Sequence, residues 1–387
     1  MKKKIAILGS TGSIGQTTFN IIKNDKKNFE IVLLTTNKNI KKILKQAKEL
    51  KVKNIFISSE THYHKLKKRL KNNKIKIHNN LNNLQKVIKK KIDYTMCGIS
   101  GIAGLKPTIE AIKFSKTIAV ANKESIICGW QFIDKALIKN KTNFIPIDSE
   151  HFSIWKLLKN ENINNIKKIY LTASGGPFLN KKKSEITNIK AKHALKHPNW
   201  KMGKKISIDS ATMMNKLFEI IEAKNIFNLE YKKIFALIHP KSYVHAIIKF
   251  TNGLTKILVH DTDMKIPIFN SIYNDDNSKI KSEKLSLKKL NNLDLTQVNI
   301  KKFPSIKIIN KIPKNISLFE TVIVSANDEL VSLFLKNKIS FINITNYLNK
   351  ILSMKIFLKY KKRAPKNYNE IIKLSNYVRL KTRLLCI

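Results

Sequence analysis

Apolar and polar positions alternate regularly along the first 150 residues of this chain. Short β-prone apolar runs are separated by lysine-rich stretches of helical character. Alternating strands and helices of this kind predict a parallel, doubly wound sheet. We expect strands in the runs KIAILG, FEIVLLTT, NIFISS, YTMCGIS, KTIAVAN and NFIPIDS.

The pattern changes twice further along the chain. A second β-bearing block contains the runs IKKIYLTAS, KISID, IFALIHP, VHAIIKF and LTKILVH. A polar stretch follows from about Ser271 to Lys302, which indicates a linker or a crossover. From about Phe303, apolar residues recur with helical spacing. The expected fold class is α/β, with an N-terminal Rossmann-like doubly wound parallel sheet, a central α/β domain and a C-terminal helical domain. The predicted segments are residues 1–150, 151–270, a linker at 271–302, and 303–387.

The strongly basic composition of the chain does not by itself indicate a nucleic-acid-binding function. The chain carries 75 Lys+Arg against 26 Asp+Glu, a net charge of +49, but the lysines are spread over its whole length. Lys, Asn and Ile share A/T-rich codons, so genome composition accounts for the excess, and we expect no specific nucleic-acid partner. No apolar run reaches about 18 residues, so we expect no membrane span. Three scattered cysteines without a C-x-x-C pair favour a reduced, cytoplasmic chain without structural zinc.

A glycine-rich loop follows the first predicted strand. The segment ILGSTGSIG places Gly9, Gly12 and Gly15 directly after the strand, and QTTFNIIKN continues as a helix. Glycines in this order let the backbone turn tightly and approach a pyrophosphate at a helix N-terminus. A dinucleotide site is the favoured interpretation, and a plain glycine turn is the alternative.

The end of the second predicted strand indicates which dinucleotide binds. NAD-specific sites usually place Asp or Glu here for the ribose 2′-hydroxyl. The stretch LLTTNKN supplies Thr35, Thr36, Asn37 and Lys38 instead. Because no carboxylate repels a 2′-phosphate and Lys38 attracts one, we predict NADPH as the cofactor.

Three carboxylates are candidates for a metal site. Asp148 and Glu150 follow the run NFIPI, and on a continuing strand they would point to the same side. In ISIDSATMMNKLFE, Asp209 or Ser210 is the expected N-cap of a helix that runs through Glu219. Three oxygen ligands without His or Cys suit Mg²⁺ or Mn²⁺, which would offset the repulsion between the carboxylates. The alternative is an exposed acidic pair and an unrelated glutamate on a helix surface.

A group of donors suits a phosphate. Asn215 and Lys216 have the spacing that places them on one helix face with Glu219. Ser174, at the tip of the Gly-Gly turn in LTASGGPF, and Ser210 add two hydroxyls. Small donors and a cation near a helix N-terminus are the groups that bind phosphate.

Two further segments contain candidates for a catalytic residue and for a lid over the active site. Lys123 in AVANKES lies at the carboxyl end of a predicted strand, where α/β sheets bind ligands, and an ordinary solvated lysine is the alternative. The segment KHPNWKMG contains His197, Trp200 and Met202 and ends at Gly203. It predicts a lid over the substrate, and a packed loop with a buried tryptophan is the alternative.

Together these segments resemble one family, 1-deoxy-D-xylulose 5-phosphate reductoisomerase. The matching stretches are ILGSTGSIG, ANKES, PIDSEH, LTASGGPF, HPNWKMGKKISIDSATMMNK and LIHPKSYVH, in the family's order. The resemblance covers nearly the whole chain and is weaker after about Asp263. It implies an NADPH domain, a central catalytic domain, a linker, a C-terminal helical domain and a homodimer.

The resemblance also implies an activity. Metal-assisted rearrangement of 1-deoxy-D-xylulose 5-phosphate, by retro-aldol cleavage and re-addition, is followed by reduction with NADPH to 2-C-methyl-D-erythritol 4-phosphate. This reaction is the first committed step of the non-mevalonate isoprenoid pathway.

The resemblance assigns roles to single residues. The implied metal ligands are Asp148, Glu150 and Glu219. The implied catalytic residues are Lys123, Glu150 and His197. The implied substrate contacts are Lys123, Ser149, Glu150, Ser174, His197, Ser210, Asn215, Lys216 and Glu219. The implied NADPH contacts are Thr11, Gly12, Ser13, Ile14, Lys38, Asn39, Asn122, Glu124 and Gly203, and Trp200 matches the tryptophan of the lid.

Some positions depart from the family's pattern. Asn37 stands where Gly is usual, and Leu217 adds bulk beside a phosphate-binding lysine. Thr262 departs from the usual P-D-M-R form, and SANDE, which contains Asp328, replaces N-A-A-N-E. None of these changes removes an implied ligand, and we interpret them as sequence drift.

Two rival functions stay open on the sequence. An NADPH enzyme of the semialdehyde-dehydrogenase type would need a cysteine nucleophile, for which Cys97 and Cys128 are the candidates near the first domain. A nucleic-acid-binding protein with a degenerate dinucleotide fold would need its charge gathered on one surface.

Overall fold

The computed structural model describes residues 1–69, 75–80, 84–88, 90–186, 189–200, 202–274, 278–284 and 286–386. The chain forms two compact units. The first consists of Met1–Ser125, Gln131–Phe152 and Met264–Ser282, and the second of Ile126–Trp130, Ser153–Asp263 and Glu283–Ile387.

The first unit contains a parallel sheet of seven strands among its described residues, which confirms the predicted doubly wound fold. The strand order is β4-β3-β2-β1-β5-β6-β7. Ile5, Ile7 and Leu8 of the first strand are all at most 1% exposed, as expected for a parallel strand with helices on both faces. The strands are β1 (Lys3–Leu8), β2 (Phe29–Thr36), β3 (Asn54–Ile57), β4 (Lys76–His78), β5 (Ile92–Cys97), β6 (Ser115–Val120) and β7 (Asn143–Pro146).

The short strand β4 was not among the predicted strands, and its three residues give too little pattern to detect. The helices that follow these strands are α1 (Ser13–Lys23), α2 (Ile40–Glu49), α3 (Glu60–Arg69), α4 (Leu84–Val87), α5 (Leu105–Ile112), α6 (Lys123–Asn140) and α7 (Ser149–Leu157).

Within its described residues, the second unit contains a five-stranded mixed sheet in the order β11-β10-β8-β9-β12. Strands β8 and β9 are parallel, and the other pairs are antiparallel. The strands are β8 (Ile166–Ala173), β9 (Ile234–Ile238), β10 (Val244–Phe250), β11 (Thr255–Val259) and β12 (Thr296–Gln297). The helices before the C-terminal region are α8 (Lys183–Ile186), α9 (Ala191–Ala194), α10 (Lys204–Ala211) and α11 (Met214–Ile226).

The run KISID is helical, so its prediction as a strand is wrong. Ile206 and Ile208 alternate as in a strand, but two apolar residues are too few to distinguish the two periods. The helix places Lys205 and Asp209 one turn apart, where their side chains form an ion pair of 3.2 Å.

Residues 264–282 belong to the first unit, so the predicted boundaries at 270 and 302 do not coincide with the compact units. The reason is helix α12 (Lys265–Tyr273), whose side chains form hydrogen bonds with strand β5 and with the loop after α1. The Tyr94 hydroxyl lies 2.7 Å from the Ser271 hydroxyl, and the Tyr273 hydroxyl donates to Asp25 over 2.8 Å. Residues 283–302 belong to the second unit, where β12 pairs with β9.

The C-terminal region is helical, as predicted. Its central helix contains Val322, Ile323, Leu330 and Val331, all at most 1% exposed, and it forms the core of this region. No helix in the described part of the chain is both long and apolar enough to cross a membrane. The remaining helices are α13 (Leu287–Leu290), α14 (Phe319–Leu335), α15 (Phe341–Leu352), α16 (Lys355–Leu358) and α17 (Tyr368–Cys386).

Candidate functional site

The glycine loop has the close backbone contacts that its sequence predicts. A Cβ on Gly15 would lie 2.3 Å from the Gly9 carbonyl oxygen, so a larger residue would push the loop away from helix α1. Gly9 has φ of +78°, which favours glycine. Helix α1 starts after Gly12 without a side-chain cap, so its N-terminus is suited to an anionic group.

The end of β2 lies beside this loop. The hydroxyl groups of Thr11 and Thr36 are 2.8 Å apart, and the Lys42 ammonium donates to the Thr11 carbonyl over 3.1 Å. Asn39 caps helix α2 by accepting a hydrogen bond of 3.1 Å from the Lys42 amide. Lys38 is exposed at the same edge. The segment thus combines cations with small polar groups and has no carboxylate.

Asn122, at the end of β6, organises the start of helix α6. Its side-chain oxygen accepts from the Ser125 amide over 2.8 Å, and its side-chain nitrogen donates to the Gly101 carbonyl over 2.7 Å. Asn122 and Glu124 are buried. The next residue after Asn122, Lys123, is 6% exposed and therefore cannot be an ordinary solvated lysine.

Lys123 pairs with Asp148 at 2.9 Å, and Asp148 is also 3.3 Å from Nδ1 of His151. Burial raises the pKa of Asp148, but Lys123 and His151 more than offset this and hold that pKa well below its usual range. The carboxylate is therefore ionised at neutral pH. His151 was missed in the sequence because a single histidine beside an acidic pair has no distinctive spacing.

The relation between Asp148 and Glu150 differs from the prediction. Strand β7 ends at Pro146, and Glu150 lies in the first turn of helix α7, so the shared strand side is wrong. The Ser149 hydroxyl donates to Glu150 over 2.6 Å. A carboxylate in the first helical turn, such as that of Glu150, is favoured by the helix dipole.

In the second unit, Ser174 and His197 are hydrogen-bonded. Nδ1 of His197 accepts from the amides of Asn199 and Trp200 at 3.2 and 3.0 Å, so the ring proton resides on Nε2. Nε2 donates to the Ser174 hydroxyl over 2.9 Å, and the Gly176 amide donates to the same oxygen over 3.0 Å. Because Ser174 accepts two hydrogen bonds, its own proton is directed to a further acceptor.

Burial lowers the pKa of His197 from 6.5 to about 4. The ring is therefore neutral at physiological pH, in agreement with its use of one nitrogen as donor and the other as acceptor.

The predicted lid segment is attached to neighbouring residues. The Asn199 side chain donates to the Pro240 carbonyl and, over 2.9 Å, to the Ser242 hydroxyl. The Trp200 ring meets the His245 ring edge-on at 6.0 Å and is half-buried. Gly203 ends the segment as the N-cap of α10. Lys201 of this segment lies outside the described residues.

Helix α11 groups the three residues that the spacing predicts. Glu219 accepts from the side chains of both Asn215 and Lys216. Lys216 and Glu219 are 3% and 1% exposed, so this ion pair is buried. Leu217 is fully buried in the core, and its bulk is therefore accommodated away from solvent.

The predicted N-cap of this helix is wrong. Asp209 and Ser210 lie inside α10, and α11 begins after Met213, whose φ is +61°. The left-handed residue turns the chain between α10 and α11, within the segment for which the sequence pattern predicted one continuous helix from Asp209 or Ser210 to Glu219. Ser210 is half-buried at the end of α10.

The candidate residues are distributed over both units. The first unit holds Lys123, Asp148, Ser149, Glu150 and the glycine-loop residues Thr11, Gly12, Ser13 and Ile14 with Lys38, Asn39, Asn122 and Glu124. The second unit holds Ser174, His197, Gly203, Ser210, Asn215, Lys216 and Glu219.

Three domain families match the chain. They are described as 1-deoxy-D-xylulose 5-phosphate reductoisomerase at residues 5–129, the C-terminal domain of that enzyme at 144–227, and DXP reductoisomerase C-terminal domain at 260–381.

Full-length relatives carry the same name. The 1-deoxy-D-xylulose 5-phosphate reductoisomerase of Pelagibacter ubique (strain HTCC1062) is 59% identical over 381 residues, covering 98% of this chain and 98% of that protein. The one of Wolbachia pipientis wMel is 40% identical and covers 88% of both chains.

Solved structures agree with the sequence matches. The Zymomonas mobilis enzyme in complex with NADPH has a TM-score of 0.88 at 30% identity and covers 100% of this chain and 99% of its own. A DOX-P reductoisomerase in complex with NADPH, fosmidomycin and magnesium has a TM-score of 0.90 at 31% identity, covering 99% and 98%. The chain belongs to the 1-deoxy-D-xylulose 5-phosphate reductoisomerase family.

Proposed function

We propose that this protein converts 1-deoxy-D-xylulose 5-phosphate into 2-C-methyl-D-erythritol 4-phosphate with NADPH and Mg²⁺ or Mn²⁺. The observation that carries the proposal is the 59% identity over 381 residues to a full-length reductoisomerase. The local geometry of each unit supplies groups that suit this chemistry.

The glycine loop fits the pyrophosphate of NADPH. The absence of a Cβ at Gly15 lets α1 start close to Gly9, and the uncapped N-terminus at Gly12, Ser13 and Ile14 suits an anion. Lys38 would attract the 2′-phosphate. Thr11, Asn39, Asn122, Glu124 and Gly203 complete the proposed NADPH contacts.

The carboxylates Asp148, Glu150 and Glu219 would hold the divalent cation. Their oxygen atoms are the hard ligands that Mg²⁺ and Mn²⁺ prefer. Within their own units, Asp148 pairs with Lys123 and Glu219 pairs with Lys216, so each of these two carboxylates already lies beside a cationic group. The cation supplies electrophilic polarisation of the substrate's carbonyl, and NADPH supplies a hydride.

Residues of the second unit would bind the phosphate. Ser174 would donate its proton to the phosphate, because its oxygen already accepts from His197 and Gly176. Ser210, Asn215 and Lys216 add two polar groups and a cation. These donors would orient the substrate by its unreactive end, which holds the reacting carbons in place.

Lys123, Ser149 and Glu150 would contact the hydroxy-ketone. Lys123 is a buried ammonium whose proton can be shared with a substrate oxygen, and Asp148 holds it in place over 2.9 Å. Trp200 would exclude water when its segment covers the substrate.

The cysteine-dependent rival is disfavoured. Cys97 and Cys128 are each 1% exposed. Burial raises the pKa of the Cys97 thiol to about 12, so it is not a thiolate at neutral pH.

We also propose a cytoplasmic homodimer. The three cysteines are free, as expected in a reducing compartment. The edge strand β11 exposes Ile257 and Val259 to 40% and 41%, and an exposed apolar edge favours pairing with a second copy. Light scattering tests this state: twice the chain mass of 44.6 kDa supports it, and the single mass contradicts it.

The activity is tested by NADPH oxidation with 1-deoxy-D-xylulose 5-phosphate and Mg²⁺. We expect oxidation that depends on both additions and persists after thiol alkylation. Loss of activity on alkylation would favour the cysteine mechanism. A salt titration of DNA binding, run in parallel, tests the nucleic-acid alternative: salt-resistant, specific binding without NADPH oxidation would favour it.

A further inference from the structure

Helix α10 contains Ser210, and it is hydrogen-bonded to helix α14 through the residue before Ser210. Asn327 of α14 donates a hydrogen bond of 2.7 Å from its side-chain nitrogen to Oδ1 of Asp209. Asn327 and Asp209 are 0% and 2% exposed. A buried hydrogen bond to a carboxylate is short and comparatively strong, so this contact fixes the position of α10 on α14.

Ion pairs extend the same contact. Lys205, one helical turn before Asp209, lies 3.2 Å from Asp209 and 2.9 Å from Asp328 of α14. Asp328 also accepts from Arg379 of α17 over 2.6 Å. Asn327 and Asp328 both lie in SANDE, so these departures from the family's pattern make specific contacts to α10 and α17.

Ser210 lies next to Asp209 but about 100° further around the helix, so it points in a different direction. Here α10 meets the glycine turn: a Cβ on Gly176 would lie 3.0 Å from the Ser210 carbonyl oxygen and 3.0 Å from Cα of Ala211. A rotation or shift of α10 would therefore move Ser210 and press its backbone against Gly176, whose amide bonds Ser174.

We infer that Asp209 and Asn327 are positioning residues that set the location of Ser210 for the substrate's phosphate. The inference rests on the proposed phosphate contact of Ser210. It assigns to the C-terminal helices a part in substrate affinity, through two residues that are not among the proposed substrate contacts. Their effect should fall on the KM for 1-deoxy-D-xylulose 5-phosphate, because Ser210 directly follows Asp209, whereas Gly203, a proposed NADPH contact, lies at the opposite end of α10.

The test compares Asn327→Asp, Asn327→Leu and the exchanged pair Asp209→Asn/Asn327→Asp with wild type. Asn327→Asp places two carboxylates in contact, and Asn327→Leu removes the donor without adding charge. The exchanged pair restores an amide-to-carboxylate hydrogen bond in the reverse direction. Ser325→Ala is the matched control, since it removes a buried contact of α14 with Ser375 of α17 (2.8 Å) and leaves α10 untouched.

We expect both single variants to raise the KM for the substrate by at least about fivefold, the effect of one lost hydrogen bond. The KM for NADPH should stay unchanged, and kcat should change less than the substrate KM. The exchanged pair should recover most of the substrate KM. Ser325→Ala should lower the melting temperature without changing either KM. The Ki of inorganic phosphate as a competitive inhibitor should rise in parallel with the substrate KM.

Other results would overturn the inference. One is a folded Asn327→Leu protein with the substrate KM of wild type. Another is a folded exchanged pair that keeps the defect of Asn327→Asp. Ser210→Ala distinguishes the proposed phosphate contact of Ser210 from the positioning role of Asp209 and Asn327. If this variant leaves the substrate KM unchanged, the phosphate contact is wrong and the inference fails with it. If it raises the KM while the Asn327 variants do not, only the positioning role fails.

Discussion

His197 offers two conservative changes that separate its two nitrogen atoms. Asparagine places an oxygen near the position of Nδ1 and can accept from the amides of Asn199 and Trp200, but it cannot reach Ser174. Glutamine places a nitrogen near the position of Nε2 and can donate to Ser174, but it has no acceptor at the Nδ1 position. The structure thus predicts different defects from two substitutions of similar size.

His197→Asn removes one neutral hydrogen bond, that of 2.9 Å to Ser174. Such a bond contributes about 1 kcal/mol, so we expect the substrate KM to rise about fivefold with kcat little changed. His197→Gln removes the two amide bonds of 3.2 and 3.0 Å, or up to about 2 kcal/mol of loop stability. Because the loop carries Trp200, kcat should then fall by more than tenfold, about 1.4 kcal/mol.

The assay is steady-state NADPH oxidation at varied substrate and NADPH, with thermal melts of each protein. The KM for NADPH serves as the internal control, since the hydrogen bonds of His197 go to Ser174, Asn199 and Trp200, none of which is a proposed NADPH contact. If the two variants have the same kinetic defect, or if His197→Asn keeps the wild-type substrate KM, the two-nitrogen account of this residue is incorrect.

Three further predictions concern the cofactor, the lid and pH. NADPH should be preferred over NADH, and Lys38→Glu should narrow the preference because its carboxylate repels the 2′-phosphate; equal kcat/KM for both cofactors in wild type would refute this. Trp200→Ala should lower the catalytic rate without changing the melting temperature. The fluorescence emission of Trp200, isolated by replacing Trp130 and Trp155, should change when substrate binds. Unchanged emission together with wild-type kinetics of Trp200→Ala would support the packed loop. The pKa of His197 falls from 6.5 to about 4 on folding, so its contribution to stability is complete above pH 6.5 and is lost as pH falls from 6.5 toward 4. Melts of wild type and His197→Asn across this range should therefore converge as pH falls, and parallel curves would contradict the shift.

Apart from the three-residue strand β4, the described strands of the first sheet were predictable because each is a short apolar run bounded by polar helices. The glycine loop was predictable for a similar reason, since Gly9, Gly12 and Gly15 follow a strand in one continuous segment. Each of these features is determined by residues that are neighbours in the sequence, so the local sequence pattern is sufficient to predict it.

The predictions were wrong where the local sequence pattern is compatible with both a strand and a helix. Ile206 and Ile208 alternate in a helix, and Glu150 begins a helix where a strand was expected to continue. The contact between Asp209 and Asn327 joins residues 118 positions apart, and no local pattern reports such a distance. His151 became recognisable only when the structure placed its ring 3.3 Å from Asp148.

The central claim is that the protein couples NADPH oxidation to a metal-dependent rearrangement. The most direct measurement is the yield of 2-C-methyl-D-erythritol 4-phosphate per NADPH oxidised, at increasing Mg²⁺, for wild type and Glu219→Gln. We predict one product per NADPH in wild type and no turnover after EDTA treatment. For Glu219→Gln we predict a sharply lower turnover and a metal requirement shifted to higher concentration, because one ligand charge is lost. Full activity of the EDTA-treated wild type, or a metal titration of Glu219→Gln that matches wild type, would contradict the account.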